Sequence, residues 1–138
     1  MWTYRQSDGV LLHDGAYVAT GYSGFENGKN NPAMQDHIGL GPIPCGVYTI
    51  QVIVDEKGQA MDYEQKKAPV MRLVADASNQ MFGRDGFLIH GDSISTPGTA
   101  SHGCVIEAHD IRELIAQNAD NGDNQLQVVS GESLAASA

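Results

Sequence analysis

Val47-Tyr48-Thr49-Ile50-Gln51-Val52-Ile53-Val54 is the clearest strand in this chain: rich in β-branched residues, alternating, and bounded by Gly46 and Asp55. Working outward, the N-terminal side reads as a β-meander. Trp2 to Gln6, Val10 to His13 and Ala16 to Thr20 are short strand-like segments separated by Ser7-Asp8-Gly9 and Asp14-Gly15. Asp-Gly pairs supply the positive φ angles of tight hairpins. Gly21 to Pro44 is rich in Gly, Asn and Pro and has no period, which predicts a long loop. On the C-terminal side, Asp55 to Ala68 reads as a polar connection, and Val70 to Ala75 and Gly86 to His90 as further strands. Asp110 to Asn118 carries Ile111, Leu114 and Ile115 at helical spacing, with Gly122 as a stop. Gln125 to Val129 predicts a last strand, and 131–138 a small-residue tail that frays. The fold class expected is therefore mainly β with one late α-helix, in one domain spanning 1–138.

Composition narrows the partners. The 138 residues carry a formal net charge of -9, which argues against nucleic acid, because phosphate contacts need Lys and Arg. No apolar run is long enough to insert in a bilayer. Met1 to Gln6 has neither the basic patch nor the apolar stretch of a signal peptide, so the expectation is a protein that either stays in the cytoplasm or leaves by a route that reads something else. There are two cysteines, Cys45 and Cys104. A disulfide between them is the bland alternative; Cys45, in the turn Gly41-Pro42-Ile43-Pro44-Cys45-Gly46, reads as structural.

The chemistry concentrates in Phe87-Leu88-Ile89-His90-Gly91 and, after a loop of small polar residues, Ser101-His102-Gly103-Cys104. An apolar strand ends on a histidine, and a cysteine follows a glycine close to the start of a helix. Thiolate is the reactive form of cysteine, an imidazole can generate it, and a helix N-terminus lowers the thiol pKa. His90, Asp92, His102, Cys104 and His109 also include zinc-type ligands, but without C-x-x-C or H-x-x-x-H spacing; neither metal nor cofactor is expected. His109, Asp110 and Glu107 read as first-turn residues of the helix, and Asp92 as solvated.

Ile43-Pro44-Cys45-Gly46-Val47-Tyr48, Ile89-His90-Gly91 and Ser101-His102-Gly103-Cys104, followed by a helix and a strand, resemble the L,D-transpeptidase (YkuD-type) catalytic domain, a β-sandwich or β-barrel fold. Trp2-Thr3-Tyr4, Gly21-Tyr22-Ser23-Gly24, Asn30-Asn31-Pro32 and Gly41-Pro42-Ile43-Pro44 are similar to the L,D-transpeptidase-related effectors of type VI secretion systems. The resemblance implies an enzyme acting on peptidoglycan stem tetrapeptides. Cys104 would be the nucleophile, His90 the base, Gly91 the backbone carbonyl that orients it, and the backbone around Gly103 and Cys104 the oxyanion site. Ser101, His102, Tyr22, Ser23 and Asn31 would contribute to substrate binding. Expected partners are the stem tetrapeptide, a cognate immunity protein and the secretion machinery, with action in the periplasm of a target bacterium. A non-catalytic peptidoglycan-binding module and a phage-encoded wall-modifying enzyme are the alternatives.

One position departs from the pattern. Family members typically carry an arginine two positions after the catalytic cysteine, and this chain has Ile106. The substrate carboxylate or the cysteine loop must be held differently, with Arg84, Arg72 or backbone donors as candidates.

Overall fold

The computed structural model describes residues 1–131; apart from Gly131, the tail expected to fray lies outside the described residues. The strands are β1 (Trp2–Arg5), β2 (Val10–His13), β3 (Ala16–Thr20), β4 (Tyr22–Ser23), β5 (Gly46–Val52), β6 (Met71–Ala75), β7 (Leu88–His90), β8 (Val105–Ile106) and β9 (Gln125–Val129). One helix, α1 (His109–Asp120), lies between β8 and β9. They form one nine-stranded sheet in the order β3-β2-β1-β9-β5-β6-β7-β8-β4. Its two edge strands, β3 and β4, are joined through Gly21 alone, so the sheet curls into a nearly closed barrel. The Gly21 amide donates to the Gly9 carbonyl at 2.8 Å where the ends meet. A Cβ on Gly21 would lie 2.0 Å from the Ile106 carbonyl oxygen and 2.6 Å from Glu107 Oε2. Only glycine lets the edges approach this closely.

The core follows from period-2 alternation. Tyr48 and Ile50 of β5, Met71 and Leu73 of β6, Leu126 and Val128 of β9, and Trp2 and Tyr4 of β1 all point inward. Register places them side by side: Trp2 and Tyr48 each pair with Leu126, Ile50 with Leu73, and Met71 with Ile89. Burying each large apolar side chain contributes roughly 1.5–3 kcal/mol. Asp14 and Gly15, at φ 50 and 84, make the β2–β3 turn as expected. On α1, Ile115 and Ala116 are buried, Ile111 packs partly against the core, and Leu114 is 39% exposed. The apolar face thus runs through 111, 115, 116 and 119 rather than through Leu114, because 115 and 119 stack one turn apart.

One strand was not expected, and two expected connections carry structure of their own. The 21–44 segment contains β4 and two single 3₁₀ turns, Glu26–Gly28 and Pro32–Met34, and is pinned rather than free. The bond from Phe25 N to Leu40 O closes the segment on itself, and the fully buried Ile43, whose carbonyl accepts from Gln6 Nε2, holds it to the barrel. β8 appears between Cys104 and the helix, where no strand was expected. The 55–68 excursion is ordered by two isolated bridges, Val54 with Ala60 and Tyr63 with Lys66, and carries Lys66 and Lys67 to the mouth of the cavity described below.

Candidate active site

His90 ends β7, and β8 lies parallel to it in the register Ile89 with Val105 and His90 with Ile106. Continuing that register one residue back sets Cys104 against Leu88. The Leu88 amide accordingly donates to Cys104 Sγ at 3.4 Å. Paired residues share a face, and His90 follows Leu88 by two, so Cys104 and His90 project from the same face of neighbouring strands. Among the described residues Sγ receives this one hydrogen bond and none from His90. Unliganded sites often hold catalytic contacts long.

His90 is 4% exposed, and its Nδ1 lies 2.8 Å from the Gly91 carbonyl oxygen. A carbonyl only accepts, so Nδ1 carries the proton and Nε2 keeps its lone pair. Burial pushes the imidazole pKa down; the Gly91 bond opposes this, while the Lys66 and Arg112 charges add to the lowering. Burial also raises the Cys104 thiol, against weaker lowering by the Leu88 amide and Lys66. At neutral pH the two groups therefore rest as a neutral thiol and a neutral imidazole. The helix assistance expected from sequence is absent here, because α1 begins at His109, after β8 has intervened.

The cysteine loop is braced from below. Ser101, fully buried, donates to the Cys104 carbonyl at 2.6 Å and accepts from the Gly103 and Gly24 amides at 3.1 and 2.9 Å. Ser23 Oγ donates to the Gly103 carbonyl at 2.8 Å and accepts from the Ile43 amide. Gly103 sits at φ 142, and a Cβ there would lie 2.7 Å from both Arg84 Nη2 and the Phe87 ring. Arg84, itself buried, donates Nη1 to the carbonyls of Gln35 and Pro42 and Nη2 to those of Gly41 and His102. It holds the cysteine loop against the 35–42 segment. Arg72 instead lies on the outer face of β6, 4.9 Å over the Tyr63 ring.

The other site residues separate. A cavity of about 940 Å³ opens on the His90 side, lined among others by Tyr22, Lys66, His90, Asp92 and Arg112; Cys104 is not on its wall. Tyr22 donates its hydroxyl to Asp92 at 2.5 Å and accepts from the Ala100 amide. Asp92, exposed as expected, also accepts from the Ser93 and Gly98 amides and so closes the 92–98 loop. His102 is exposed, with Nδ1 3.0 Å from the Gly39 carbonyl and its ring against Phe25. Asn31 caps a 3₁₀ turn by accepting from the Ala33 amide. Ser23, Ser101, His102 and Asn31 are not on the cavity wall. Arg112, which sequence reading passed over, is buried with Nε on the Pro69 carbonyl and Nη1 on that of Glu107; a Cβ on Gly91 would meet it at 2.8 Å. Both cysteines are free thiols, Cys45 donating to Gln6 Oε1 at 3.3 Å.

Glu107 was also misplaced by sequence reading. It precedes α1, is 3% exposed, and neither carboxyl oxygen has a hydrogen-bond partner among the described residues. Burial pushes its pKa up to about 8. Its amide donates to the His90 carbonyl at 3.0 Å, tying it to the end of β7. The folded state holds this proton more tightly than the unfolded chain, so the stabilisation is full below pH 4.5 and is lost as pH rises to about 8. The loss is on the order of 3–5 kcal/mol at most. Above the range in which His90 titrates, urea midpoints of the wild type should fall between pH 6.5 and 8.5, and those of Glu107→Gln should stay level over the same window. A wild-type midpoint as level as the variant's would refute the assignment.

A histidine tautomer fixed by a main-chain carbonyl at the end of β7, and a cysteine immediately before the parallel strand β8, are the features of this candidate site on a mainly-β barrel. Residues 17–131 match the family model described as the Tlde1 domain, and the chain belongs to that family, one of type VI secretion effectors. Searches among curated proteins and among solved structures gave no match.

Proposed function

We propose that this chain is a cysteine L,D-transpeptidase with L,D-carboxypeptidase and D-amino acid exchange activity on peptidoglycan stem tetrapeptides. Delivered by type VI secretion, it acts in the periplasm of a target bacterium, and the producing cell carries a cognate immunity protein. The observation that carries the reading is the Nδ1–Gly91 bond, which leaves His90 Nε2 as a base on the face from which Cys104 projects.

In this mechanism Nε2 takes the Sγ proton as sulfur attacks the carbonyl carbon at the L-centre of diaminopimelate. The Gly103 amide is engaged by Ser101 Oγ, so the oxyanion falls to the Cys104 amide. Removing such a donor costs about 3 kcal/mol. The intermediate collapses with cleavage of the C–N bond; the imidazolium returns the proton to the departing D-alanine amine, and a thioester remains on Cys104. Water then gives a tripeptide, a free D-amino acid gives exchange, and a second stem peptide gives a cross-link. Trimming donors in this way would starve cross-linking in the target cell.

The test is mass spectrometry of purified tetrapeptide muropeptides incubated with the protein and with Cys104→Ala. Loss or exchange of the terminal D-alanine only with the intact cysteine supports the reading. No change with folded, reduced wild type refutes it, and retention of the peptide on both proteins would instead favour a binding module.

A further inference from the structure

If Arg84 grips the cysteine loop and Arg72 lies outside, the substrate's carboxylate needs another cation. The wall of the His90 cavity offers Lys66, Lys67 and Arg112. Arg112 is spent on the carbonyls of Pro69, Glu107 and Lys67 and is 4% exposed. Lys67 points to solvent, its side chain 83% exposed and paired with Asp62 at 3.4 Å. Lys66 differs from both. Its side chain is 28% exposed, and its ammonium meets only Glu64 among the described residues, the carboxylate at 4.0 Å and the carbonyl at 3.5 Å. Those distances are at the limit of useful contact, so most of its donor capacity is unspent.

Its backbone is held firmly. Tyr63 and Lys66 exchange both main-chain hydrogen bonds, at 2.9 and 2.8 Å, around Glu64 and Gln65 at φ 47 and 68. That is a two-residue hairpin turn of the kind that fixes its flanks rigidly. Arg72 over the Tyr63 ring ties the turn to β6, and Arg112 ties its far side through the Lys67 carbonyl. The Lys66 charge acts on His90 and on Cys104 alike, making each less ready to hold a proton. It therefore lies within electrostatic reach of both reacting groups.

The departing nitrogen must meet His90, because His90 returns its proton. In a chain-terminal residue the carboxylate carbon is two bonds from that nitrogen, so its oxygens fall within about 4 Å. We propose that Lys66 is the specificity residue that binds the free carboxylate of the departing amino acid, restricting the site to chain-terminal residues. By microscopic reversibility it would bind the carboxylate of an incoming free amino acid in exchange. The inference rests on the acyl-transfer reading above and names the group that reading leaves unpaired.

The test compares kcat/KM for release of the last residue from a tetrapeptide ending in D-alanine and from one ending in D-alaninamide. Wild type is expected to prefer the acid by roughly 10- to 100-fold, the worth of one charge-assisted hydrogen bond. Lys66→Met should bring the ratio near unity by losing activity on the acid, chiefly through KM. Lys66→Arg should restore most of the preference. A ratio unchanged in Lys66→Met, or equal losses on both peptides, overturns the assignment while leaving the acyl-transfer reading intact. Release from neither peptide by wild type overturns that reading, and this inference with it.

Discussion

His90→Ala is expected to slow acylation of Cys104 by about 10³-fold, and Cys104→Ala, which removes the acylated sulfur, to abolish it. The asymmetry follows from the resting state. Burial raises the thiol above its ordinary 9.0 and lowers the imidazole below its ordinary 6.5, so no preformed thiolate–imidazolium pair carries the reaction. In the proposed mechanism proton transfer would then accompany sulfur attack, making a general base indispensable at neutral pH yet replaceable in part by hydroxide. For wild type, kcat/KM should rise through an acid limb lying below 6.5 and then stay level up to at least 9. In His90→Ala the acid limb should vanish and the residual rate should climb with pH as thiolate forms directly.

Intact-protein mass spectrometry of the acyl-enzyme, followed over time from pH 5 to 10, measures both features. A bell-shaped wild-type profile whose rising limb belongs to the thiol would show an ion pair at rest and contradict the neutral-pair assignment. So would a His90→Ala rate within tenfold of wild type. The Lys66 charge lowers both groups, so its removal should move the acid limb upward, toward the ordinary histidine value.

How much of this was legible in the sequence depends on how far each interaction reaches. The meander, β5, β9 and α1 were readable because period, turn chemistry and a helix stop are local. β4 and β8 are two residues long, too short for any period to register. They exist because Gly21 allows the sheet to close and because His90 and Ile106 can pair across the loop between them. Cys104 and His90 stood out as a motif, and β8 sets their relation. The braces did not stand out: Ser23 to Gly103 spans 80 positions and Arg84 to Gly41 spans 43. Ser101 was expected to bond either the cysteine loop or the substrate, and it bonds the loop; Ser23, named only as a substrate contact, also donates to that loop. Glu107 read as a helix-start acid because its spacing from α1 was visible, whereas its burial depends on Gly21 across the barrel seam. Lys66 carried no local signal at all; its meaning comes from the cavity it borders.

Arg84 takes this logic to its largest structural consequence. Its guanidinium is buried without a carboxylate partner among the described residues, solvated instead by four carbonyl oxygens from Gln35, Gly41, Pro42 and His102 and by the Phe87 ring at 5.2 Å. Burial lowers its pKa, and the nearby Tyr48 and Asp36 oppose that only electrostatically. Arginine at this position supplies a planar fork that lysine cannot reproduce. Arg84→Met would leave the carbonyls facing apolar surface, at an expected cost of about 3–5 kcal/mol. For a chain of this size that is a fall in Tm of roughly 10–15 °C. Arg84→Lys should recover less than half, because three donors on one nitrogen cannot serve four carbonyls spread over two segments. The break should be felt first at the cysteine loop, where the His102 carbonyl loses its donor and Gly103 loses the group packed against it. In a Cys45→Ala background, alkylation of Cys104 should therefore accelerate at temperatures well below the variant's own Tm. An Arg84→Met protein within 1 kcal/mol of wild type, with unchanged thiol protection, would mean that Ser23 and Ser101 suffice to hold the nucleophile.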